Sequence, residues 1–308
     1  MSRIDTHHHV VPPEYAAWLR SQGALAGGLP IPDWDPAAAL ALMDRHDVAA
    51  SILSVSTPGT FLGDGADARA MARDVNDYAA QVVRDHPGRF GFLATLTLPD
   101  VDGALAELDR AFDELGADGV VLLASCAGGY LGDPAFDPVF DELQRRKAVV
   151  FVHPSVPPGL SPVGAIPPFI ADFLLDTTRA AINLAASGTL DRCPDVKVIL
   201  AHAGGFLPYA AYRVAPTAGG GDFLLGLSRL QRYYFDIALS GSPTALPSLL
   251  ALTTPDKVTF GSDWPYAPDT AVAAMTSMYE SYGLDDEGRR QIDRATAQTL
   301  FPRFQEIA

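Results

Sequence analysis

Three consecutive histidines lie close to the N-terminus, in the segment RIDTHHHV. We interpret this segment, residues 3–10, as a β-strand, in which successive side chains point to opposite faces. His7 and His9 then share one face, and His8, expected to be structural, points the other way. Two imidazoles two residues apart on one face can bind the same metal ion. The remaining ligands must come from other parts of the chain.

Three further groups with metal-binding chemistry end other apolar segments: His153 in AVVFVHP, His202 in VKVILAHAG and Asp263 in DKVTFGSD. Imidazole nitrogens and a carboxylate suit zinc, and also manganese or iron. Each residue alone has a plainer interpretation, because a histidine can cap loop carbonyls and an aspartate before Trp-Pro can begin a turn. Their equivalent positions at segment ends favour one shared site.

The elements that must position these groups are strands alternating with helices. Several apolar runs are almost continuous, as in parallel strands buried on both faces, and amphipathic patterns such as 67–86 and 100–116 separate them. Eight strands alternating with helices predict a (β/α)8 TIM barrel, with 1–308 as one domain and a C-terminal helical segment, 284–308, packed outside the barrel. An open doubly wound sheet is the alternative, but no GxGxxG follows the first strand. The predicted strands are 3–10, 48–56, 89–98, 118–125, 148–154, 196–204, 232–239 and 256–263.

Barrel geometry brings the candidate ligands together, because catalytic residues of this fold come from the C-terminal ends of different strands. Two long loops, 11–33 and 154–168, follow strands that end in histidine and should rise from the same face. Aromatic side chains in or next to the segments after the strands suit a flat ring better than a sugar or a peptide. They are Trp18, Phe61, Tyr130, Phe206, Trp264 and Tyr266, of which we expect Phe61, Trp264 and Tyr266 to bind substrate.

The composition excludes several classes of partner. The 308 residues carry a formal net charge of −15, which argues against nucleic acid or an anionic membrane as partner. Cys126 and Cys193 make no disulfide framework, and no apolar run approaches the roughly 20 residues of a transmembrane helix. We expect a cytoplasmic protein. The two remaining histidines, His46 and His86, are expected at the surface.

The arrangement Asp-x-His-x-His in strand one, with histidines ending strands five and six and an aspartate ending strand eight, resembles the amidohydrolase superfamily. The blocks IDTHHHVVPP, FVHP, ILAHAGGFLPY and FGSDWPY resemble the branch that contains aminocarboxymuconate-semialdehyde decarboxylase. Within that branch, IDTHHHVVPPEY, ILSVSTPG and DTTRAAINL look closest to the 6-methylsalicylate decarboxylases. The resemblance covers essentially the whole predicted barrel.

This resemblance implies roles for individual residues. His7, His9, His153 and Asp263 match the metal ligands, and His202 matches a histidine that acts as general acid/base beside the metal. Asp263, as a metal ligand, is a second candidate for delivering a proton.

The resemblance also suggests how a substrate carboxylate is bound. Arg213 lies where the decarboxylases carry an arginine that binds this group, in some members across a dimer interface, so a homodimer is expected. Arg179 is a second candidate for the same task. For both arginines, a solvated position on a helix is the plainer interpretation.

Two features separate this chain from other members of the superfamily. Some amidohydrolases bridge two metals with a carboxylated lysine at the end of strand four, but Lys147, Lys197 and Lys257 are the only lysines, and each stands at the start of a strand. One metal ion is therefore expected. Relatives often carry Asn-Ala before the final Leu-Phe, where this chain has Thr296 and Ala297, a difference that should affect only packing.

Three functions fit the predicted site. The first is a metal-dependent, non-oxidative decarboxylase of a small aromatic acid, an o-hydroxybenzoate such as 6-methylsalicylate, or of an enol-type acid. The second is a hydrolase or hydratase acting on a lactone, an amide or a C–C bond with the same metal. The third is a barrel that binds metal without turnover. We favour the first, with one divalent ion, Zn²⁺ before Mn²⁺.

Overall fold

Eight parallel strands follow one another around a barrel in the order of the chain. They are β1 (Arg3–His9), β2 (Val48–Ser54), β3 (Phe90–Thr95), β4 (Gly119–Leu123), β5 (Val149–His153), β6 (Lys197–Leu200), β7 (Tyr234–Asp236) and β8 (Val258–Thr259). The computed structural model describes residues 2–161 and 163–307. The barrel closes because the Thr6 N–H donates to the Phe260 carbonyl at 3.0 Å and the His9 N–H donates to the Trp264 carbonyl at 2.7 Å. All eight predicted strands and the TIM barrel are confirmed, although every strand ends earlier than predicted.

Helices surround the barrel and return the chain from the top of one strand to the bottom of the next. Several begin at an aspartate whose carboxylate accepts a backbone N–H of the first turn, as Asp35, Asp64 and Asp100 do. The helices are α1 (Pro13–Ser21), α2 (Pro36–Arg45), α3 (Gly65–Asp85), α4 (Val101–Arg110), α5 (Asp137–Arg146), α6 (Asp172–Ala186), α7 (Thr189–Arg192), α8 (Leu207–Ala218), α9 (Phe223–Leu230), α10 (Ala245–Leu252), α11 (Asp269–Ser281), α12 (Asp286–Arg290) and α13 (Thr296–Leu300). Among the described residues, none of these helices has both the length and the apolar character needed to cross a membrane.

The C-terminal segment forms α12 and α13 as predicted, but its last aromatic rings do not pack outside the barrel. Phe301 and Phe304 are fully buried in one cluster with Ile52 and Phe151. Phe151 shares the inner face of β5 with His153, two residues further on. The segment therefore closes the bottom of the barrel, directly beneath the candidate ligands.

The two long loops meet over the mouth of the barrel. The first, which contains α1, turns back on itself at Ala26 and Leu29, whose backbone groups exchange two hydrogen bonds of 2.9 Å. The Phe173 ring lies where a side chain at Gly27 would stand, only 2.2 Å from an ideal Cβ position. Gly27 also has a left-handed φ of +58°, so both its conformation and this contact require glycine. The second loop packs beside the next residue, because Pro168 and Pro167 lie 3.3 and 3.4 Å from an ideal Cβ position at Gly28. Both loops therefore lie on one face, as predicted.

We expect Phe304→Ala to lower the free energy of unfolding by about 3–5 kcal/mol, because it leaves a cavity among buried barrel side chains. Chemical denaturation measures the change. Leu25→Ala is the control, since it removes a large apolar side chain that is 55% exposed, and it should shift stability by no more than about 0.5 kcal/mol. Equal effects of the two substitutions would contradict the role of the C-terminal segment.

Candidate metal centre and active-site cavity

Four side chains converge at the C-terminal ends of three strands. His7 and His9 end β1, His153 ends β5, and Asp263 follows β8. Their ligand atoms all lie within 4.8 Å of one another, and all four residues are buried. The two closest approaches are 3.1 Å, between His7 Nε2 and His9 Nε2 and between His9 Nε2 and Asp263 Oδ1.

Backbone and side-chain oxygens select which nitrogen of each imidazole faces the centre. In each of the three histidines, Nδ1 lies within hydrogen-bond distance of an acceptor, so this nitrogen carries the proton and Nε2 is left with its lone pair. The pairs are His7 Nδ1 with Asp236 Oδ2 (3.0 Å), His9 Nδ1 with the Ser54 carbonyl (3.2 Å) and His153 Nδ1 with the Pro154 carbonyl (2.8 Å).

This donor set fits a divalent metal ion. With Nδ1 protonated, His7 and His9 face each other with two lone pairs 3.1 Å apart, and the Asp263 carboxylate adds a third acceptor. Acceptors this close repel one another unless a cation lies between them. Three imidazole nitrogens and one carboxylate oxygen form a set that Zn²⁺ and other transition metals accept. The site is therefore built to hold one divalent ion.

The electrostatics of the centre also favour a cation. Burial opposes charge on His7, but the carboxylates of Asp236 and Asp263 outweigh it and raise the pKa of His7 to about 10. Burial would raise the pKa of Asp263, yet the charge on His7 and hydrogen bonds from His7 and His9 hold it well below its usual range. Burial lowers the pKa of His9 and His153. The neutral imidazoles of His9 and His153 are ready to bind metal, the carboxylates attract it, and the metal ion displaces the proton that His7 otherwise holds.

His202 stands beside this set rather than within it. It begins the turn that follows β6, and its Nδ1 lies 3.0 Å from the Ala238 carbonyl. Its Nε2 then points towards Asp263, 4.0 Å from Oδ2. That separation exceeds a hydrogen bond, and His202 is not in the four-residue cluster. The geometry suits a group that acts on a molecule bound at the centre.

Asp236, at the end of β7, is a functional residue that the sequence analysis missed. It is fully buried, accepts a hydrogen bond from His7 Nδ1, and also accepts backbone N–H groups of His202 (3.2 Å) and Ala238 (2.8 Å). The Asp236 carboxylate thus orients the imidazole of His7, a metal ligand, and holds the backbone of His202. An acidic residue inside the apolar run RYYFDIAL was the available signal.

A cavity of about 500 Å³ opens in front of the centre and is lined by His153, His202 and Asp263. The rest of its wall is largely apolar, with a few hydroxyls, and includes no arginine or lysine among the described residues. Most of this wall comes from the first long loop, from the segment that leads into the first turn of α6, and from the first half of α11 and the residue before it: Ala26, Leu29, Phe169, Ile170, Phe173, Leu174, Pro268, Ala271 and Met275. Such a cavity accepts a small, mainly apolar molecule that carries its polar groups at one end.

The aromatic residues that the sequence predicts for the substrate cavity lie in different parts of the structure. Tyr266 lines the cavity, with its ring 5.4 Å from that of His9. Phe61 lines a neighbouring cavity of about 230 Å³ at the tops of β2 to β4, away from the metal ligands. The Trp264 ring packs on His8, 5.1 Å away, and the His8 side chain points to the face of β1 opposite His7 and His9. Phe61 and Trp264 therefore do not line the cavity at the metal centre within one chain.

Neither predicted arginine lines the cavity of its own chain. Arg179, on α6, stacks over the Tyr130 ring at 4.8 Å. Arg213 is exposed on α8 and has no hydrogen bond or ion pair within the described part of the chain. A role for either in binding substrate therefore needs a contact that one folded chain does not provide.

Comparison with known proteins agrees with this architecture. Residues 4–303 match the model of the amidohydrolase family, so the chain belongs to that family and the resemblance is confirmed. Decarboxylase yanB of Aspergillus niger is 39% identical over 99% of this chain and 89% of its own length. A 6-methylsalicylic acid decarboxylase of Penicillium expansum is 38% identical over 100% of this chain and 98% of its own. A crystal structure of an amidohydrolase II has a TM-score of 0.93 at 31% identity, covering 97% of this chain and 99% of that one.

We expect Asp236→Asn to weaken metal binding by about 10–100-fold, because the amide cannot replace the carboxylate that orients His7. Competition with a coloured chelator measures the affinity, and elemental analysis of the unsubstituted protein should give one ion per chain. Asp293→Asn is the control, since Asp293 is also buried and hydrogen-bonded, to Tyr279, but lies far from the centre. Unchanged affinity in Asp236→Asn would contradict this role.

Proposed function

We propose that this protein is a metal-dependent, non-oxidative decarboxylase of a small aromatic acid, an o-hydroxybenzoate such as 6-methylsalicylate. The observation that carries the proposal is the position of His202 beside a mononuclear ligand set, at the wall of an apolar cavity. The similarity to a 6-methylsalicylic acid decarboxylase over the whole chain supports it. Zn²⁺ is the proposed ion, with Mn²⁺ as the alternative, because both accept imidazole and carboxylate ligands.

The side chains of His7, His9, His153 and Asp263 would hold the divalent ion, which would supply a Lewis acid able to draw negative charge from oxygens of the bound acid. The cavity wall, with Tyr266 among its residues, holds the flat ring and excludes water. Loss of CO2 leaves the electron pair of the broken C–C bond on the ring carbon, which must receive a proton. The protein's task is to deliver that proton to one face of the ring.

His202 is the proposed proton donor. Its Nδ1–H remains bound to the Ala238 carbonyl, so a second proton on the imidazolium sits on Nε2, which faces Asp263 and the cavity. Transfer of this proton from Nε2 to the ring carbon completes the reaction and leaves a neutral imidazole. Asp263 is the other candidate donor, but its low pKa leaves its carboxylate without a proton to give, and the same group serves as a metal ligand.

The same site could direct water at a carbonyl or a double bond, so a hydrolase or hydratase is the second candidate. The largely apolar wall favours decarboxylation, which needs no water molecule held in place for attack. A barrel without turnover is the weakest candidate, because His202 has no structural task beside a filled metal site.

We also propose a homodimer formed through α8 and α9. Large apolar side chains on these neighbouring helices are exposed, which is typical of an interaction surface. They include Tyr209 (89% exposed), Leu224 (73%) and Tyr212 (63%). Arg213 lies on α8 without an ion pair in the described residues, and no described arginine or lysine lines the cavity. An Arg213 that reaches a neighbouring chain's cavity would pair with the substrate carboxylate.

Two expectations about the chain as a whole stay predictions. One is that residues 1–308 form a single domain. The other is a cytoplasmic location, supported by Cys126 and Cys193, which are both free thiols.

We expect His202→Ala to retain its metal ion and to lose about 10²–10⁴-fold in kcat, the usual contribution of general acid–base catalysis. Elemental analysis and steady-state kinetics give the two values. His86→Ala is the control, because this histidine lies at the end of α3, away from the cavity. Loss of the metal in His202→Ala would make His202 a ligand and refute its assignment as the acid.

Incubation of 6-methylsalicylate with the enzyme in deuterium oxide should give 3-methylphenol and an equal amount of CO2. One deuterium should appear at the carbon that carried the carboxylate, because the proton donor exchanges with solvent. Mass spectrometry and NMR locate the label. If no salicylate reacts while a lactone is hydrolysed or an enol acid is hydrated, the second candidate function replaces the first.

A further inference from the structure

Asp5 is a fully buried carboxylate that does not line the cavity at the metal centre. It nevertheless accepts four hydrogen bonds. Oδ1 accepts the backbone N–H groups of His7 and Ser262, both at 3.0 Å. Oδ2 accepts the Ser262 hydroxyl at 2.6 Å and the Nδ1–H of His8 at 3.0 Å. Two oxygens thus connect β1, which carries two metal ligands, to the segment that carries Asp263.

The backbone around Asp263 needs such support. Asp263 has a φ of 62°, in the left-handed region that residues other than glycine seldom occupy. Such a conformation persists only where its surroundings hold it. Here the Asp263 N–H donates to the His7 carbonyl at 2.7 Å, and the Trp264 N–H donates to the Ser262 hydroxyl at 3.1 Å. Ser262 itself is held by Asp5 through both its N–H and its hydroxyl.

We propose that Asp5 and Ser262 are positioning residues that set the direction of the Asp263 carboxylate relative to His7 and His9. The inference rests on the proposed metal centre. The same oxygen of Asp5 accepts the backbone N–H groups of His7 and Ser262, so a shift of β1 also moves the segment that follows β8. The two residues act on the metal and the substrate only through the ligands beside them.

If Asp5 and Ser262 had a purely structural role, their substitution would lower the stability of the protein and leave the metal site unchanged. Two residues provide matched controls. Ser51 is a buried serine on β2 whose hydroxyl has no partner among the described residues, so Ser51→Ala makes the same chemical change without breaking a hydrogen bond. Asp118 is a mostly buried aspartate before β4 that accepts the Phe92 N–H at 3.0 Å and pairs with Arg303, without contact to the centre.

The experiment compares Ser262→Ala and Asp5→Asn with these two controls after loading each protein with Co²⁺. The visible spectrum of bound cobalt reports ligand geometry, and the rate of cobalt release to a chelator reports how firmly the ligands hold it. In Ser262→Ala we expect a shifted cobalt spectrum, metal release faster by about 10–100-fold, and a similar loss of kcat with KM changed by less than about threefold. Ser51→Ala and Asp118→Asn should keep the original spectrum and release rate.

The proposal is overturned if Ser262→Ala keeps the original spectrum and release rate and shows only a lower melting temperature, as expected of Asp118→Asn. Should Asp5→Asn fail to fold, Ser262→Ala decides the question. A failure of the proposed function would be distinguishable from a failure of this proposal. In that case the unsubstituted enzyme would leave every salicylate unchanged, while the cobalt spectra would still report the action of Asp5 and Ser262.

Discussion

Mutual repulsion among the acceptor atoms of His7, His9 and Asp263 is the constraint on which the rest of the site depends. Two imidazole lone pairs and a carboxylate oxygen lie about 3 Å apart, in a place from which water is largely excluded. In a buried environment such repulsion is stronger than in water. The protein tolerates it because hydrogen bonds hold each group from behind, and because one cation relieves the repulsion of all the groups at once.

The barrel makes that support possible. Its inward-facing side chains form two layers, with the acceptors at the top and an apolar cluster beneath them. Phe151 links the layers, since its ring lies 4.9 Å from the His7 ring and it also belongs to the cluster that contains Phe301 and Phe304. The dry layer below keeps solvent from reaching the centre from the bottom. Polar contact with the centre is thereby confined to the cavity above it, where a substrate binds.

The sequence predicted what depends on local periodicity and missed what depends on distant contacts. His7 and His9 could be placed on one face because strand alternation is a local rule. The same rule does not place Trp264, because the strand has ended before it and Asp263 beside it has a left-handed φ of 62°. Asp236 could not be assigned a partner, because its contact with His7 joins residues 229 positions apart.

The loops and the surface show the same limit of prediction from the sequence. Phe61 follows a strand, as the cavity residues do, yet it enters a neighbouring cavity because the direction of a loop depends on what packs against it. Arg213 is exposed at the surface, and the sequence of a single chain does not show what its side chain contacts. By contrast, the eight strands and the covering of one barrel face by both long loops followed from patterns along the chain.

The order of the ligands along the chain has a consequence for biosynthesis. His7 and His9 leave the ribosome first, whereas Asp263 is almost the last part of the barrel to appear. Until β5 is synthesised, a nascent chain therefore carries only the two ligand imidazoles of β1, which bind metal weakly and without selectivity. The complete ligand set exists only after β8 has joined β1, so tight metal uptake reports a closed barrel. Once bound, the ion holds the two ends of the sheet together and stabilises the folded state by mass action.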